Sequence, residues 1–276
     1  MMDNPVSEEI LFSGSTLTGH GMTGAVYLLL PVIACRVLRK YQALELLPLI
    51  FGAGVYFLSV RLDDLFVYAV YAGMPQSAKA VAASLWAGVF EETGRFLMLR
   101  SASGLVPSYA SAVSYGTGHA GLECLIRAVR SFGIVRTGLR CNAEGLSSFT
   151  AGLTQERAAA ITEQLSYYAS QSLLCSIFAQ INALCAFLVH LALTLLLFHG
   201  IREGKPWRTL ALAILLHCGL NELSWASSFS GEPILTPLTG ILCSAGILVL
   251  VMKRIDGRSV LTELRLAGTP DDSGKR

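Results

Sequence analysis

The chain has 276 residues, of which 53% are hydrophobic and only 14% are charged, and its mean hydropathy is +0.55. This balance excludes an ordinary soluble domain, in which about a quarter of the residues are charged. It predicts an all-α bundle of transmembrane helices that is embedded in the lipid bilayer of a cell membrane. The net charge of only +2 gives no indication of a nucleic-acid partner.

Seven apolar stretches are each long enough to cross a bilayer, at about 20 residues for each helix. In chain order they are Leu17–Leu38, Ala43–Val60, Ala80–Leu99, Ser108–Val129, Ser172–Phe198, Thr209–Ser228 and Pro233–Val251. The stretch Leu65–Gly73 is too short to span alone, and we expect it to cap or extend the second helix or to lie in the membrane interface. The sequence therefore predicts an integral, multi-pass membrane protein with about seven spans.

Basic residues near the ends of the spans predict the orientation, because Lys and Arg are enriched on the cytoplasmic side. The sequence contains three basic clusters. One follows the first span, one lies between the fifth and sixth spans, and one follows the last span. They consist, in that order, of Arg36, Arg39 and Lys40; of Arg202, Lys205 and Arg208; and of Lys253, Arg254, Arg258 and Arg265. With seven spans, all three clusters fall on one side, which predicts a cytoplasmic C-terminus. The opposite side carries Arg130, Arg136, Arg140 and Arg157, which weigh against this orientation, although long loops count less.

One long polar insertion interrupts the apolar stretches. It covers residues 131–170, and we expect it to be an extramembrane loop with a helix near Thr154–Tyr168. The predicted membrane domain covers residues 1–267. The polar and turn-rich tail, residues 268–276, is predicted to be disordered.

Two adjacent carboxylates, Glu91 and Glu92, lie in the middle of the third apolar stretch. A charged residue at the bilayer centre costs about 3 kcal/mol on insertion scales, so such residues usually face the protein interior and serve chemistry or transport. Other polar residues lie near the middle of the third to sixth spans: Arg95; Tyr115, His119 and Glu123; His190; His217 and Asn221. In a helix bundle, residues at one depth can converge on one point, so we expect a common site.

The spacing within each helix supports this convergence, since residues three or four positions apart share a face. Arg95 follows Glu92 by three residues, and Glu123 follows His119 by four. Structural explanations stay open for several of these residues. Arg95 is expected to neutralise a buried carboxylate, His190 is equally compatible with a core histidine, and Glu123 is compatible with a surface pair with Arg127, four residues later.

Three strings resemble the motifs EExxxR, FxxxH and HxxxN of the CAAX-protease and bacteriocin-processing superfamily: FEETGRF (90–96), YGTGHAGLE (115–123) and HCGLN (217–221). Tyr115 replaces the phenylalanine, and the first motif fits only as E-E-x-x-R, one residue shorter. The GxGHxGxE context and the additional His190 in FLVHLALTLLLF are more similar to the YhfC branch of intramembrane proteases, with PrsW-type proteases as more distant relatives. The resemblance covers about residues 85–225.

The resemblance implies that the protein hydrolyses peptide bonds of a protein or peptide substrate in or at the membrane. In that family, a glutamate of the first motif activates water, and the later His and Asn residues bind and polarise the scissile carbonyl. The implied roles are water activation by Glu91 or Glu92, binding of water or substrate by His119 and His190, and oxyanion stabilisation by His217 and Asn221. The implied supporting residues are Arg95, Tyr115 and Glu123.

A zinc mechanism is the rival to this metal-free scheme, because histidines and carboxylates are ordinary zinc ligands. The ligands would then be His119, His190, His217 and Glu91. We favour catalysis without a cofactor, since the HExxH motif of soluble zinc proteases is absent and the resemblance implies a glutamate-dependent superfamily. A small proton-coupled transporter or channel, or a non-catalytic membrane chaperone, would also account for buried polar residues.

Overall fold

The computed structural model describes residues 10–228, 230–255 and 262, and within them it contains helices and connecting turns but no strand. The helices are α1 (Gly14–Lys40), α2 (Leu46–Val70), α3 (Gln76–Ser101), α4 (Tyr109–Glu144), α5 (Ser147–Thr150), α6 (Gln155–Ala169), α7 (Leu173–Arg202), α8 (Pro206–Ser228) and α9 (Leu235–Arg254). The all-α prediction is confirmed. The basic residues Arg258 and Arg265 and the predicted tail, 268–276, lie outside the described residues.

Large apolar side chains cover the outer surface of the bundle. On α1, for example, Leu29 and Ile33 are more than half exposed, whereas Gly19 and Gly24 are buried against neighbouring helices. An apolar outer face combined with small residues at the helix contacts is typical of membrane bundles. Among the described residues, α1, α2, α7, α8 and α9 are the five helices long and apolar enough to cross a membrane.

Two of the predicted spans, α3 and α4, are not among those five helices. Both carry the ionisable residues that lower their average hydropathy, such as Glu91, Glu92 and Arg95 on α3, and these side chains are buried inside the bundle. The total of about seven spans therefore stays a prediction, while five spans follow from length and composition.

Two helices are longer than the apolar stretches that predicted them. Helix α2 continues to Val70 and so includes most of Leu65–Gly73, and α4 continues to Glu144, through the first third of the predicted polar loop. The helix expected near Thr154–Tyr168 is α6. The extension of α2 beyond Val60 places Asp63 inside the helix.

Helix α4 lies at the centre of the bundle, where it packs against α1, α2 and α7, while α3 packs against α2 and α8. Helices α4 and α7 are antiparallel, since Tyr109 contacts Phe198 and Glu123 contacts His190. We call one end of the bundle the basic end, because the C-terminal turns of α1, α7 and α9 there carry Arg39, Lys40, Arg202, Lys253 and Arg254. The opposite end, where α6 connects to α7, is called the α6 end.

Candidate active site

Helices α3, α4, α7 and α8 bring most of the predicted site residues into one buried cluster. Each of its side chains belongs to a residue that is at most 7% exposed. The cluster consists of Glu91, Glu92, Arg95, His119, Glu123, His190 and His217. The prediction that four helices converge at one depth therefore agrees with the geometry.

Glu92 is neutralised within the cluster by two donors. Arg95 Nη1 donates to Glu92 Oε1 at 2.5 Å, and His217 Nδ1 lies 2.8 Å from the same oxygen. Glu92 and Arg95 are both completely buried. Since an ionised carboxylate only accepts hydrogen bonds, His217 donates through Nδ1, and in the neutral ring the lone pair is then on Nε2.

His190 is held between a carboxylate and a guanidinium. Its Nε2 lies 2.6 Å from Glu123 Oε2, and Arg95 Nη2 lies 3.1 Å from its Nδ1. A guanidinium only donates hydrogen bonds, so Nδ1 carries the lone pair and Nε2 donates its proton to Glu123. Arg127 Nε donates to Glu123 Oε1 at 2.6 Å. The pair with Arg127 exists, but Glu123 is buried and also holds His190, so it is more than a surface partner.

Glu91 faces the histidines. Its Oε2 lies 3.1 Å from His119 Nε2 and 3.9 Å from His190 Nδ1. The ring of Tyr56 packs edge-on against His119, with 5.1 Å between ring centroids. Within the part of the chain that the structure describes, no arginine is hydrogen-bonded to Glu91, in contrast to Glu92 and Glu123. Glu91 is therefore the carboxylate of the cluster that an arginine does not neutralise.

Glu91, His190 and His217 could hold a metal ion. Each offers one ligand atom, and these atoms lie within 4.8 Å of one another. Two histidines and one carboxylate form a known donor set of catalytic zinc. The second ring nitrogen of each histidine is hydrogen-bonded to a carboxylate, which is the usual way in which a protein orients a metal-binding imidazole. The residues present fit a divalent metal, provided that Arg95 Nη2 gives up its hydrogen bond to His190 Nδ1.

Besides Glu92, Arg95 and Glu123, three further predicted residues lie outside this donor set. His119, predicted as a possible ligand, contacts Glu91 instead. Tyr115 is completely buried one turn before His119, and its hydroxyl has no hydrogen-bond partner among the described residues. Asn221 Nδ2 donates to the backbone carbonyl of Ser84 at 3.1 Å, which connects α8 to α3. The role of Asn221 in stabilising an oxyanion stays a prediction.

The sequence analysis missed one buried carboxyl group near the cluster. Asp63 on α2 is 6% exposed, and its Oδ1 has no hydrogen-bond partner within the described residues. It shares the buried face of α2 with Tyr56 and Ser59. Because the second span was predicted to end at Val60, the charge appeared to lie beyond the helix; helical spacing from Tyr56 was the signal that could have identified it.

Comparison with known proteins places this cluster within a described family. A family model for the YhfC intramembrane metalloprotease matches residues 26–231, a range that contains every residue of the cluster. The uncharacterized membrane protein YhfC of Bacillus subtilis (strain 168) is 28% identical over 212 residues, which cover 72% of this chain and 80% of that protein. No solved structure matches the chain.

Proposed function

The chain belongs to the YhfC intramembrane metalloprotease family, and from this premise we propose that it is an endopeptidase that hydrolyses peptide bonds of membrane-associated proteins or peptides. One observation carries the proposal: Glu91, His190 and His217, from three helices, present donor atoms within 4.8 Å of one another in a buried site. Buried ionisable groups with convergent donor atoms are what hydrolysis inside a membrane requires.

Glu91, His190 and His217 would hold a divalent metal, and zinc suits this donor set. A bound metal supplies Lewis-acid chemistry, which activates water and polarises the carbonyl that is attacked. The chain itself supplies the orientation. Glu123 fixes His190 through Nε2 and Glu92 fixes His217 through Nδ1, so each imidazole presents its other nitrogen.

Glu91 is the proposed general base. One carboxylate oxygen suffices as a ligand, which leaves the other to accept the proton of the attacking water and return it to the leaving amine. His119 orients this carboxylate through Oε2. Glu92 is less suited to the role, because Arg95 and His217 both donate to it. The same division of roles applies if catalysis proceeds without a metal, with Glu91 acting alone on water.

The experiment that tests this function is quantitative profiling of new protein termini in host membranes. Cells that produce the intact chain are compared with cells that produce an equal amount of folded Glu91→Gln. Loss of a general base typically lowers the rate by about 10²–10⁴-fold, so we expect termini that appear with the intact chain and disappear with Glu91→Gln.

The matched control is Glu144→Gln, which removes a half-exposed carboxylate of α4 that pairs with Arg140. It should give the same termini as the intact chain. Identical termini in cells with the intact chain and with Glu91→Gln, at matched expression, would contradict the proposed protease.

A proton-coupled transporter is the second candidate, because a continuous chain of hydrogen bonds connects ionisable groups across the bundle. It runs from Glu123 through His190, Arg95 and Glu92 to His217. Glu and His residues form proton relays in pumps and transporters, and Glu123, His190, Glu92 and His217 are residues of these types, whereas Arg95 stays protonated. A pH-dependent flux into liposomes that contain the purified chain, lost in Glu123→Gln, would favour transport over proteolysis.

A further inference from the structure

The half of the bundle between the site and the basic end is filled by apolar side chains. Phe96 and Leu99 on α3 pack with Tyr109 on α4 and with Leu193 and Leu197 on α7, and none of these residues is more than 4% exposed. Interiors packed in this way contain few voids that could hold a water molecule. This half therefore separates the site from the basic end.

On the basic side, Tyr115 Oη and Thr117 Oγ1, on the turn of α4 before His119, also lack a hydrogen-bond partner among the described residues, but most of the buried polar atoms without such partners outside the cluster lie in the other half of the bundle. They belong to four different helices: Asp63 Oδ1 on α2, Gln180 Nε2 on α7, Glu222 Oε1 on α8 and Ser244 Oγ on α9. Asp63 is 6% exposed and Ser244 is completely buried. Leaving such atoms unpaired costs free energy, and lipid tails offer them no partner.

Helix register places Asp63 and Glu222 on the α6 side of the site. Ser59 Oγ donates to the carbonyl of Phe90, next to Glu91, and Asp63 lies one turn further along α2 toward the α6 end. Asn221 donates to Ser84, which lies about two turns before Glu91 on α3. Glu222, the next residue on α8, is therefore displaced from Glu91 toward the α6 end.

Register also places Gln180 and Ser244 on that side. Gln180 precedes His190 by 10 residues, in the part of α7 nearer its N-terminus at the α6 end. Asn182 on α7 lies against Gly240 on α9, where an added Cβ would come within 2.3 Å of Asn182 Oδ1. Because α7 and α9 are parallel, Ser244 lies between this contact and the level of His190.

From this asymmetry we propose that a hydrated inlet connects the α6 end of the bundle with Glu91 and passes Asp63, Gln180, Glu222 and Ser244. The proposed function explains what the inlet is for, because a peptide hydrolase in a membrane must bring water to its general base, Glu91. The inference rests on the proposed function in this respect alone. Water in the inlet satisfies the unpartnered atoms, as buried waters do in other proteins. The apolar half keeps the site closed toward the basic end.

The test compares two completely buried positions on opposite sides of the site. Ser244→Cys replaces a side chain of the proposed inlet with one of nearly the same size, and Ala112→Cys places a thiol on α4, seven residues before His119 and toward the basic end. Each variant, in lipid nanodiscs that leave both ends accessible, is treated with the cationic thiol reagent MTSET. Mass spectrometry of peptides separates the introduced thiol from the seven native cysteines.

We expect Ser244→Cys to react at least tenfold faster than Ala112→Cys. Equal rates, or faster reaction of Ala112→Cys, would overturn the inlet. If Ser244→Cys fails to fold, Thr236→Cys replaces it, because Thr236 Oγ1 on α9 is also buried and unpartnered among the described residues. Labelling is measured without substrate or activity, so the two proposals can fail separately. Fast labelling of Ser244→Cys without new protein termini would refute the protease and support the inlet. New termini together with equal labelling rates would support the protease and refute the inlet.

Discussion

Arg95 connects the two parts of the cluster at the level of single residues. Its guanidinium donates through Nη1 to Glu92 and through Nη2 to His190, and it is completely buried. A buried ion pair adds little net stability over an apolar pair, because desolvation opposes the attraction, but removing one partner leaves an uncompensated charge. Arg95 is therefore a positioning residue. Removing Glu92 should destabilise the protein, because the buried charge of Arg95 would lose its counter-ion.

We expect Glu92→Gln to destabilise the protein by about 3–5 kcal/mol, since it leaves the buried Arg95 without its counter-ion. Thermal unfolding of the purified protein in detergent, read as Tm, measures the effect. The double variant Glu92→Gln, Arg95→Met removes both charges and should recover much of the lost stability. It should not recover cleavage, because His217 loses the carboxylate that orients it.

The control for this pair is the exposed ion pair of Arg140 and Glu144, both about half exposed. Such pairs contribute little to stability, so Glu144→Gln should leave Tm nearly unchanged. A Tm for Glu92→Gln equal to that of Glu144→Gln would show that Arg95 does not depend on Glu92.

At the level of elements, the contact between α2 and α4 fixes the position of His119. A Cβ added at Gly118 would lie 1.8 Å from the carbonyl oxygen of Leu49, and one added at Gly52 would lie 1.9 Å from the carbonyl oxygen of Tyr115. The two backbones therefore touch, as they do where small residues line helix contacts in membranes. Neither glycine leaves room for a side chain.

Gly118→Ala is expected to push α2 away from α4, because the obstacle is backbone and cannot rotate aside. Tm should fall by several degrees and cleavage should be lost, since His119 is the next residue. Gly133→Ala is the matched control on the same helix, where an added Cβ meets nothing within 4 Å. It should be neutral or stabilising, because alanine is favoured over glycine in helices by up to about 1 kcal/mol. Equal Tm values for the two variants would contradict the close contact.

At the level of the whole molecule, the donor atoms of Glu91, His190 and His217 come from α3, α7 and α8, so a bound metal would join three helices. Any ligand that binds the folded state and not the unfolded one raises stability. The site should therefore connect metal content, stability and activity in a single set of variants.

We expect the purified protein to contain about one divalent metal per chain, measured by inductively coupled plasma mass spectrometry. His190→Ala and His217→Ala should each lose it, and chelation should lower Tm and abolish cleavage reversibly. His20→Ala is the control, since His20 lies on α1 against Tyr168, away from the cluster. Full cleavage by protein without metal would instead support catalysis without a cofactor, which the sequence analysis favoured.

The sequence by itself determined the helical membrane character, and it predicted a set of polar residues for one common site. Hydropathy and helical spacing are local properties, so they can be recognised in one segment of the sequence without knowing which helices pack against it. They placed Glu91, His119, His190 and His217 near the middle of their helices, and the structure brings these residues together. The same local patterns ended the second span too early and so missed Asp63.

Only the tertiary structure decided which groups pair. Glu91 and Glu92 are neighbours on α3, yet Glu92 is hydrogen-bonded to Arg95 and His217, whereas Glu91 is hydrogen-bonded to His119. Glu123 reaches His190 across the contact of α4 with α7. The physical reason is that hydrogen bonds between helices depend on their rotation and axial register, which arise from packing of the whole bundle and are not contained in any single segment.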